Sequence, residues 1–127
     1  MIVKTLQDIE GTKNDTRGAD WSSQRFTLRE DSIGLTMTET TVEAGADNIL
    51  WYKNHMEACY CFEGEGEVEV LETGEKFPIK AGTFYALDKH DRHAMRAFTR
   101  MKFVCVFTPA LTGGETHDED GSYNLPE

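Results

Sequence analysis

The chain is dominated by short segments in which apolar and polar residues alternate, broken at intervals by glycine and never giving way to a sustained helical period. Alternation of this kind describes a strand with one face in a core, because successive side chains of a strand point to opposite faces. Strands are expected over residues 2–6, 26–29, 34–42, 48–53, 57–63, 67–71, 83–87, 93–98 and 101–108. The run Thr36-Met37-Thr38-Glu39-Thr40-Thr41-Val42, rich in β-branched residues, is typical of them. Gly64-Glu65-Gly66 and Glu72-Thr73-Gly74-Glu75 read as hairpin turns, and Glu10 to Asp20 as a polar loop. Short strands at this regular interval predict an all-β sandwich or barrel. At 127 residues, with no linker or repeat, residues 1–127 are expected to form one domain, with a barrel over 1–111 and a polar tail over 112–127.

Charge and cysteine usage narrow the function. Thirteen basic residues against 23 acidic ones give a formal net charge of −10, which repels phosphate backbones, so no nucleic-acid partner is expected. The N-terminus meets charge too early for a secretory signal, and no apolar run approaches the roughly 18 residues of a membrane span. No membrane partner is expected, and the cytoplasm is the expected location. The odd cysteine count (Cys59, Cys61, Cys105) fits a reducing compartment. Cys59 and Cys61 lie two apart and share a strand face, which predicts buried, inert thiols.

Chemistry concentrates between Tyr52-Lys53-Asn54-His55-Met56-Glu57 and Tyr85-Ala86-Leu87-Asp88-Lys89-His90-Asp91-Arg92-His93, which hold three of the four histidines. Glu57 precedes Gly64 by seven residues and Gly82 precedes His93 by eleven. These intervals resemble the paired motifs of the cupin superfamily, small jelly-roll β-barrels that bind one metal through a Glu and a final His among other ligands. The resemblance is partial, because the two histidines usual before that Glu are replaced by residues among Leu50, Trp51, Tyr52 and Lys53.

A more specific likeness runs over the full length. Trp21-Ser22-Ser23-Gln24-Arg25, Asn54-His55-Met56-Glu57, the Tyr85 to His93 run, and Thr112-Gly113-Gly114-Glu115-Thr116-His117-Asp118 resemble the ectoine synthase family of cupins. One departure is Thr108, where relatives commonly place Asn before the proline. The resemblance implies a single-domain cupin jelly roll. It also implies a hydro-lyase that closes N-γ-acetyl-L-2,4-diaminobutyrate to the compatible solute ectoine, and a head-to-tail homodimer. It implies iron (Fe²⁺) held by Glu57, Tyr85 and His93, with Zn²⁺ as a possible occupant of the same ligands. The implied substrate pocket is Trp21, Arg25, Thr40, Tyr52, His55, Phe107, Glu115 and His117. Arg25 offers a fork for the substrate carboxylate, Trp21 and Phe107 wall the aliphatic chain, and Tyr52, His55 and Glu115 are candidates for holding or deprotonating the α-amine. Two rivals are a cupin that only binds a small molecule and an iron cupin dioxygenase, which commonly keeps three histidines on its metal. The polarity of residues 112–127 is that of a disordered tail, whereas His117 and Tyr123 amid acids suggest a lid over the barrel mouth.

Overall fold

The computed structural model describes residues 1–113, 115–117 and 121–123. Its strands are β1 (Asp15–Arg17), β2 (Trp21–Arg25), β3 (Thr36–Val42), β4 (Asp47–Leu50), β5 (Met56–Glu63), β6 (Glu65–Val70), β7 (Glu75–Lys80), β8 (Phe84–Ala86), β9 (His93–Ala97) and β10 (Met101–Thr108). They form two antiparallel sheets, a six-stranded one in the order β1-β2-β3-β10-β5-β8 and a four-stranded one in the order β4-β9-β6-β7. This is the expected all-β jelly roll. Leu28, Val68, Met101, Phe103 and Leu111 are among the apolar side chains that fill its interior. Among the described residues no helix is long and apolar enough to cross a membrane.

Ladder register explains how the six-stranded sheet gathers function onto its inner face. Directly opposed residues form one continuous row, Arg25–Thr38–Cys105–Cys59–Tyr85, that crosses five strands. A neighbouring row runs Thr36–Phe107–Glu57, and another Ser23–Thr40–Phe103–Cys61. The period-2 alternation sends the rows in between outward, as Met37–Val106–Ala58–Ala86 and Glu39–Val104–Tyr60–Phe84.

Four expectations need correction. Residues 2–5 form no strand, and Leu6–Ile9 is a short helix, α1. Thr5 and Asp8 make a reciprocal cap, with Asp8 N donating to Thr5 Oγ1 at 3.3 Å and Thr5 N donating to Asp8 Oδ2 at 2.9 Å. The strand expected over 26–29 lies earlier, at Trp21–Arg25, and Arg29–Asp31 is a 3₁₀ turn. The supposed loop 10–20 contains β1.

Gly64-Glu65-Gly66 is not a hairpin, because β5 pairs with β10 and β8 whereas β6 pairs with β7 and β9. It is the crossing from one sheet to the other. A Cβ on Gly64 (φ +90°) would sit 2.1 Å from Arg100 O, and one on Gly66 2.1 Å from Arg96 O, so the glycines serve close backbone approach. Strand β7, at the edge of the smaller sheet, escaped the pattern because Pro78 breaks its β signature, and edge strands tolerate proline.

The two glycine turns therefore differ in what a side chain costs. Gly74 has φ +73° with nothing within 4 Å of a Cβ, so Gly74→Ala is expected to cost only the left-handed backbone penalty of about 1–2 kcal/mol. Gly64→Ala adds a backbone clash and should destabilise clearly more, read by urea unfolding of the two variants side by side.

Candidate functional site

A cavity opens between the two sheets. Seven of the residues singled out by the sequence line it: Trp21, Thr40, Tyr52, Glu57, Tyr85, Phe107 and His117. Arg25, His55, His93 and Glu115 do not line it, and stand behind that wall with Arg25, His55 and His93 fully buried. Cys59, Phe103, Cys105 and Tyr123 also line it; the sequence reading assigns none of them to the metal or the substrate, with Cys59 expected as a buried thiol and Tyr123 as part of a lid. Cys105 faces inward because it sits opposite Cys59 in the β5–β10 ladder, a non-local register that no spacing along one strand reveals.

At the deep end, Glu57 is buried and burial pushes its carboxyl up to about 7, with hydrogen bonds from the Cys59 and Cys105 thiols working the other way. Potential ligand atoms of Glu57, Cys59 and Cys105 lie within 4.8 Å of one another. Cys59 and Cys61 are buried as expected; of the groups beside the Cys59 thiol, Glu57 belongs to its own strand and Cys105 comes from across the ladder. Tyr85 is held well above the usual phenol range, first by burial and then by the nearby thiol and carboxyl groups.

His93 arrives from the opposite sheet. Its Nδ1 lies 2.9 Å from Asp91 O, and a carbonyl only accepts, so Nδ1 carries the proton and Nε2 presents a lone pair. That Nε2 is buried with no hydrogen-bond partner among the described residues. A buried carboxylate that has no cationic partner among the described residues, a phenol and an imidazole lone pair left open are donors suited to a cation. The residues implied as ligands thus fit a metal chemically.

The other end is polar and aromatic. Arg25 Nη2 donates to Glu115 O at 2.7 Å, Nη1 lies 3.4 Å from Glu115 Oε1, and Nε donates to Ser23 Oγ at 3.3 Å. Glu115 also accepts from Thr112 N at 2.6 Å and Gly113 N at 2.7 Å. Burial works to raise the Glu115 pKa, but these backbone donors and Arg25 outweigh it and hold the carboxyl below the usual glutamate range. Tyr52 Oη is 2.8 Å from His117 Nε2, and the His117 ring packs 5.0 Å from that of Trp21. His55 is held below the usual imidazole range chiefly by burial, and its Nδ1 has no partner among the described residues. The lid expected over 112–127 falls partly on Gly114, 118–120 and 124–127, which lie outside the described residues.

Comparison with known proteins decides the family. A family model described as ectoine synthase matches residues 1–127. The chain belongs to the ectoine synthase family. It is 54% identical over 125 residues to the L-ectoine synthase of Oceanobacillus iheyensis, covering 98% of each chain, and 50% identical to that of Halalkalibacterium halodurans, covering 98% and 97%. Its fold matches the crystal structure of ectoine synthase from P. lautus with a TM-score of 0.88 at 50% identity, covering 99% of this chain and 91% of that one. An RmlC-like cupin from Shewanella frigidimarina shares the fold alone, with a TM-score of 0.63 at 21% identity over 76% of this chain and 83% of that one. Ectoine synthases, rather than dioxygenases or binding cupins, are therefore its kin.

The depressed Glu115 pKa gives a signed expectation. A carboxyl whose folded pKa lies below its unfolded value stabilises the fold above the unfolded pKa, and loses that contribution as pH falls through the folded one. The melting-temperature gap between the native protein and Glu115→Gln should therefore be full near neutrality and close below about pH 4. A gap that does not change with pH would contradict this electrostatic role.

Proposed function

We infer that the chain is an ectoine-forming hydro-lyase whose substrate is N-γ-acetyl-L-2,4-diaminobutyrate, held in the cavity between the sheets. The observation that carries this reading is the full-length family match combined with a cavity lined by Glu57 and Tyr85 together with Trp21, Tyr52, Phe107 and His117. In the reaction the neutral α-amine attacks the acetamide carbonyl carbon of the same molecule. A C=N bond forms, and the carbonyl oxygen leaves as water with the two hydrogens of the amine. An amide is a weak electrophile and the open chain rarely brings its ends together, so the site must polarise the oxygen and fold the substrate.

Glu57, Tyr85 and His93 are the residues that would hold the metal, iron in this reading, with Zn²⁺ able to use the same three. When bound there, the metal supplies a Lewis acid for the carbonyl oxygen. Every other task falls to the chain's own groups. Arg25 receives the substrate carboxylate by exchanging part of its bond to Glu115. Trp21 and Phe107 press the methylene chain into a bent form, and Thr40 borders it from the sheet floor. Tyr52, whose burial keeps it a phenol, orients the amine by hydrogen bonding. Among the candidates for moving the proton, Glu115 already accepts from two backbone donors and Arg25, whereas His55 has an uncommitted buried nitrogen. His117 and the tail around it keep bulk water from a reaction whose reverse is hydrolysis.

The partner proposed is a second copy of the chain, in the cytoplasm. Support comes from the outer face of the six-stranded sheet, where Met37, Tyr60, Phe62 and Phe84 are exposed around Val104 and Val106. Strand β8 ends that sheet without a further neighbour. A contiguous apolar face of this kind marks an interface.

The test is ectoine formation from the acetylated diamine by iron-loaded protein, followed by chromatography, with metal content measured on the same samples. Glu57→Ala and His93→Ala should lose iron and activity together. Arg25→Ala should keep iron near the native level while kcat/KM falls on the order of a hundredfold, the size of a lost charge-assisted bidentate contact. Tyr85→Phe should retain less iron and lack any phenolate-to-iron charge-transfer colour in the oxidised protein. Full iron and full activity in Tyr85→Phe would return that phenol to the core, and no ectoine from native protein with iron bound would overturn the functional reading.

A further inference from the structure

The sequence reading places Tyr123 only in a lid and gives it no substrate role, yet among the described residues its ring is the most heavily engaged in the cavity. It is 3% exposed. The His117 ring stacks on it at 4.9 Å and 5°, Tyr52 lies 5.0 Å away, and Phe107 5.5 Å. His55 meets it edge-on at 6.1 Å, and the Arg25 guanidinium carbon lies 5.3 Å from the ring centroid. One side chain therefore touches five of the eight groups assigned to the substrate, from the carboxylate fork to the candidate proton carrier.

A backbone clasp sets this ring in place. Trp51 N donates to Gly121 O at 3.0 Å, Lys53 N to Ser122 Oγ at 3.1 Å, and Asn54 Nδ2 to Tyr123 O at 3.1 Å, so residues 121–123 are fastened to the segment between β4 and β5. Gly121 has φ +75°, and a Cβ there would lie 2.3 Å from Ile49 O, so only glycine lets the clasp seat this closely. That segment carries Tyr52 and leads directly to His55 and Glu57. The clasp thus fixes the Tyr123 ring relative to the residues it must align.

We propose that Tyr123 is a positioning residue of the substrate site, whose aromatic face holds the Arg25 guanidinium and the His117 ring in the orientation that receives the substrate carboxylate and amine. A guanidinium over an aromatic face is held by the ring quadrupole, and a stacked imidazole loses its rotational freedom about χ2. Neither contact needs the phenolic hydroxyl. The effect therefore belongs to the ring and should appear mainly in substrate binding, because the groups it orients bind substrate while the donors at Glu57, Tyr85 and His93 lie on other elements.

This inference rests on the functional reading above, and the experiment separates the two. Native protein, Tyr123→Ala, Tyr123→Phe and Gly121→Ala are compared for kcat and KM with N-γ-acetyl-L-2,4-diaminobutyrate, for bound iron, and for melting temperature. Tyr123→Ala is expected to raise KM on the order of tenfold, the scale of a lost cation–π contact with its stacking partner, with iron content unchanged. Tyr123→Phe keeps the ring and should stay close to the native KM. Gly121→Ala unseats the clasp without touching the ring, and should shift KM in the same direction as Tyr123→Ala. Native-like KM in Tyr123→Ala, or a Phe variant as impaired as the Ala variant, overturns the proposal. So does a loss that tracks iron content or melting temperature instead of the ring. Native protein that forms no ectoine sinks the functional reading itself, whereas active native protein with an equally active Tyr123→Ala sinks Tyr123 alone.

Discussion

A carboxylate sealed inside a β-barrel costs on the order of several kcal/mol unless it is neutralised or paired, and the interior of this barrel is arranged around that cost at Glu57. Its described partners, the Cys59 and Cys105 thiols, are weak donors. Burial consequently raises its pKa toward neutrality. On the four-stranded sheet, a backbone carbonyl fixes His93 in the tautomer that leaves Nε2 open. Glu57 and His93 are thus buried donors to which the described residues bring no cation, and stability alone does not account for them. A core built only for stability would place apolar residues at these positions, as it does at Val68 and Leu111.

The opposite end of the cavity follows another logic. Arg25 is fully buried with its charge matched by Glu115, and Glu115 is held ionised by backbone donors as well as by Arg25. The pair forms a dipolar floor whose guanidinium can exchange one carboxylate for another with little change in net charge. The interior thus holds Glu57 in one place and the Arg25–Glu115 pair in another, and Phe107, Tyr52 and Tyr123 pack against one another there.

Much of this was legible in the sequence, and the omissions share a physical cause. Strand faces follow from alternation, so the inward placement of Glu57, Cys59 and Cys61 could be read from a single segment. Glu57 and His93 were further marked by spacing alone. Register between distant strands leaves no such trace. The opposition of Cys105 and Cys59, the continuous row from Arg25 to Tyr85, and the crossing at Gly64 all depend on pairings that local sequence does not encode. Tyr123 was legible as part of a lid but not as a member of the aromatic cluster, for a related reason. It sits in an acidic, polar stretch whose composition suggests disorder, while its place is set by three hydrogen bonds to residues about 70 positions away. The N-terminal strand was misread because Ile2 and Val3 favour extension, whereas the Thr5–Asp8 cap acts one turn later and starts a helix.

The proposed ligand set of Glu57, Tyr85 and His93 has a competitor in the structure, because potential ligand atoms of Glu57, Cys59 and Cys105 lie within 4.8 Å of one another. The two sets would not select the same ion, because phenolate and imidazole suit iron whereas two thiols suit thiophilic cations. Anomalous diffraction at the iron edge from crystals of the iron-loaded protein locates the ion directly. A single peak beside Glu57, Tyr85 and His93 is the predicted result. A peak between Glu57, Cys59 and Cys105, with Tyr85 and His93 out of reach, would contradict it.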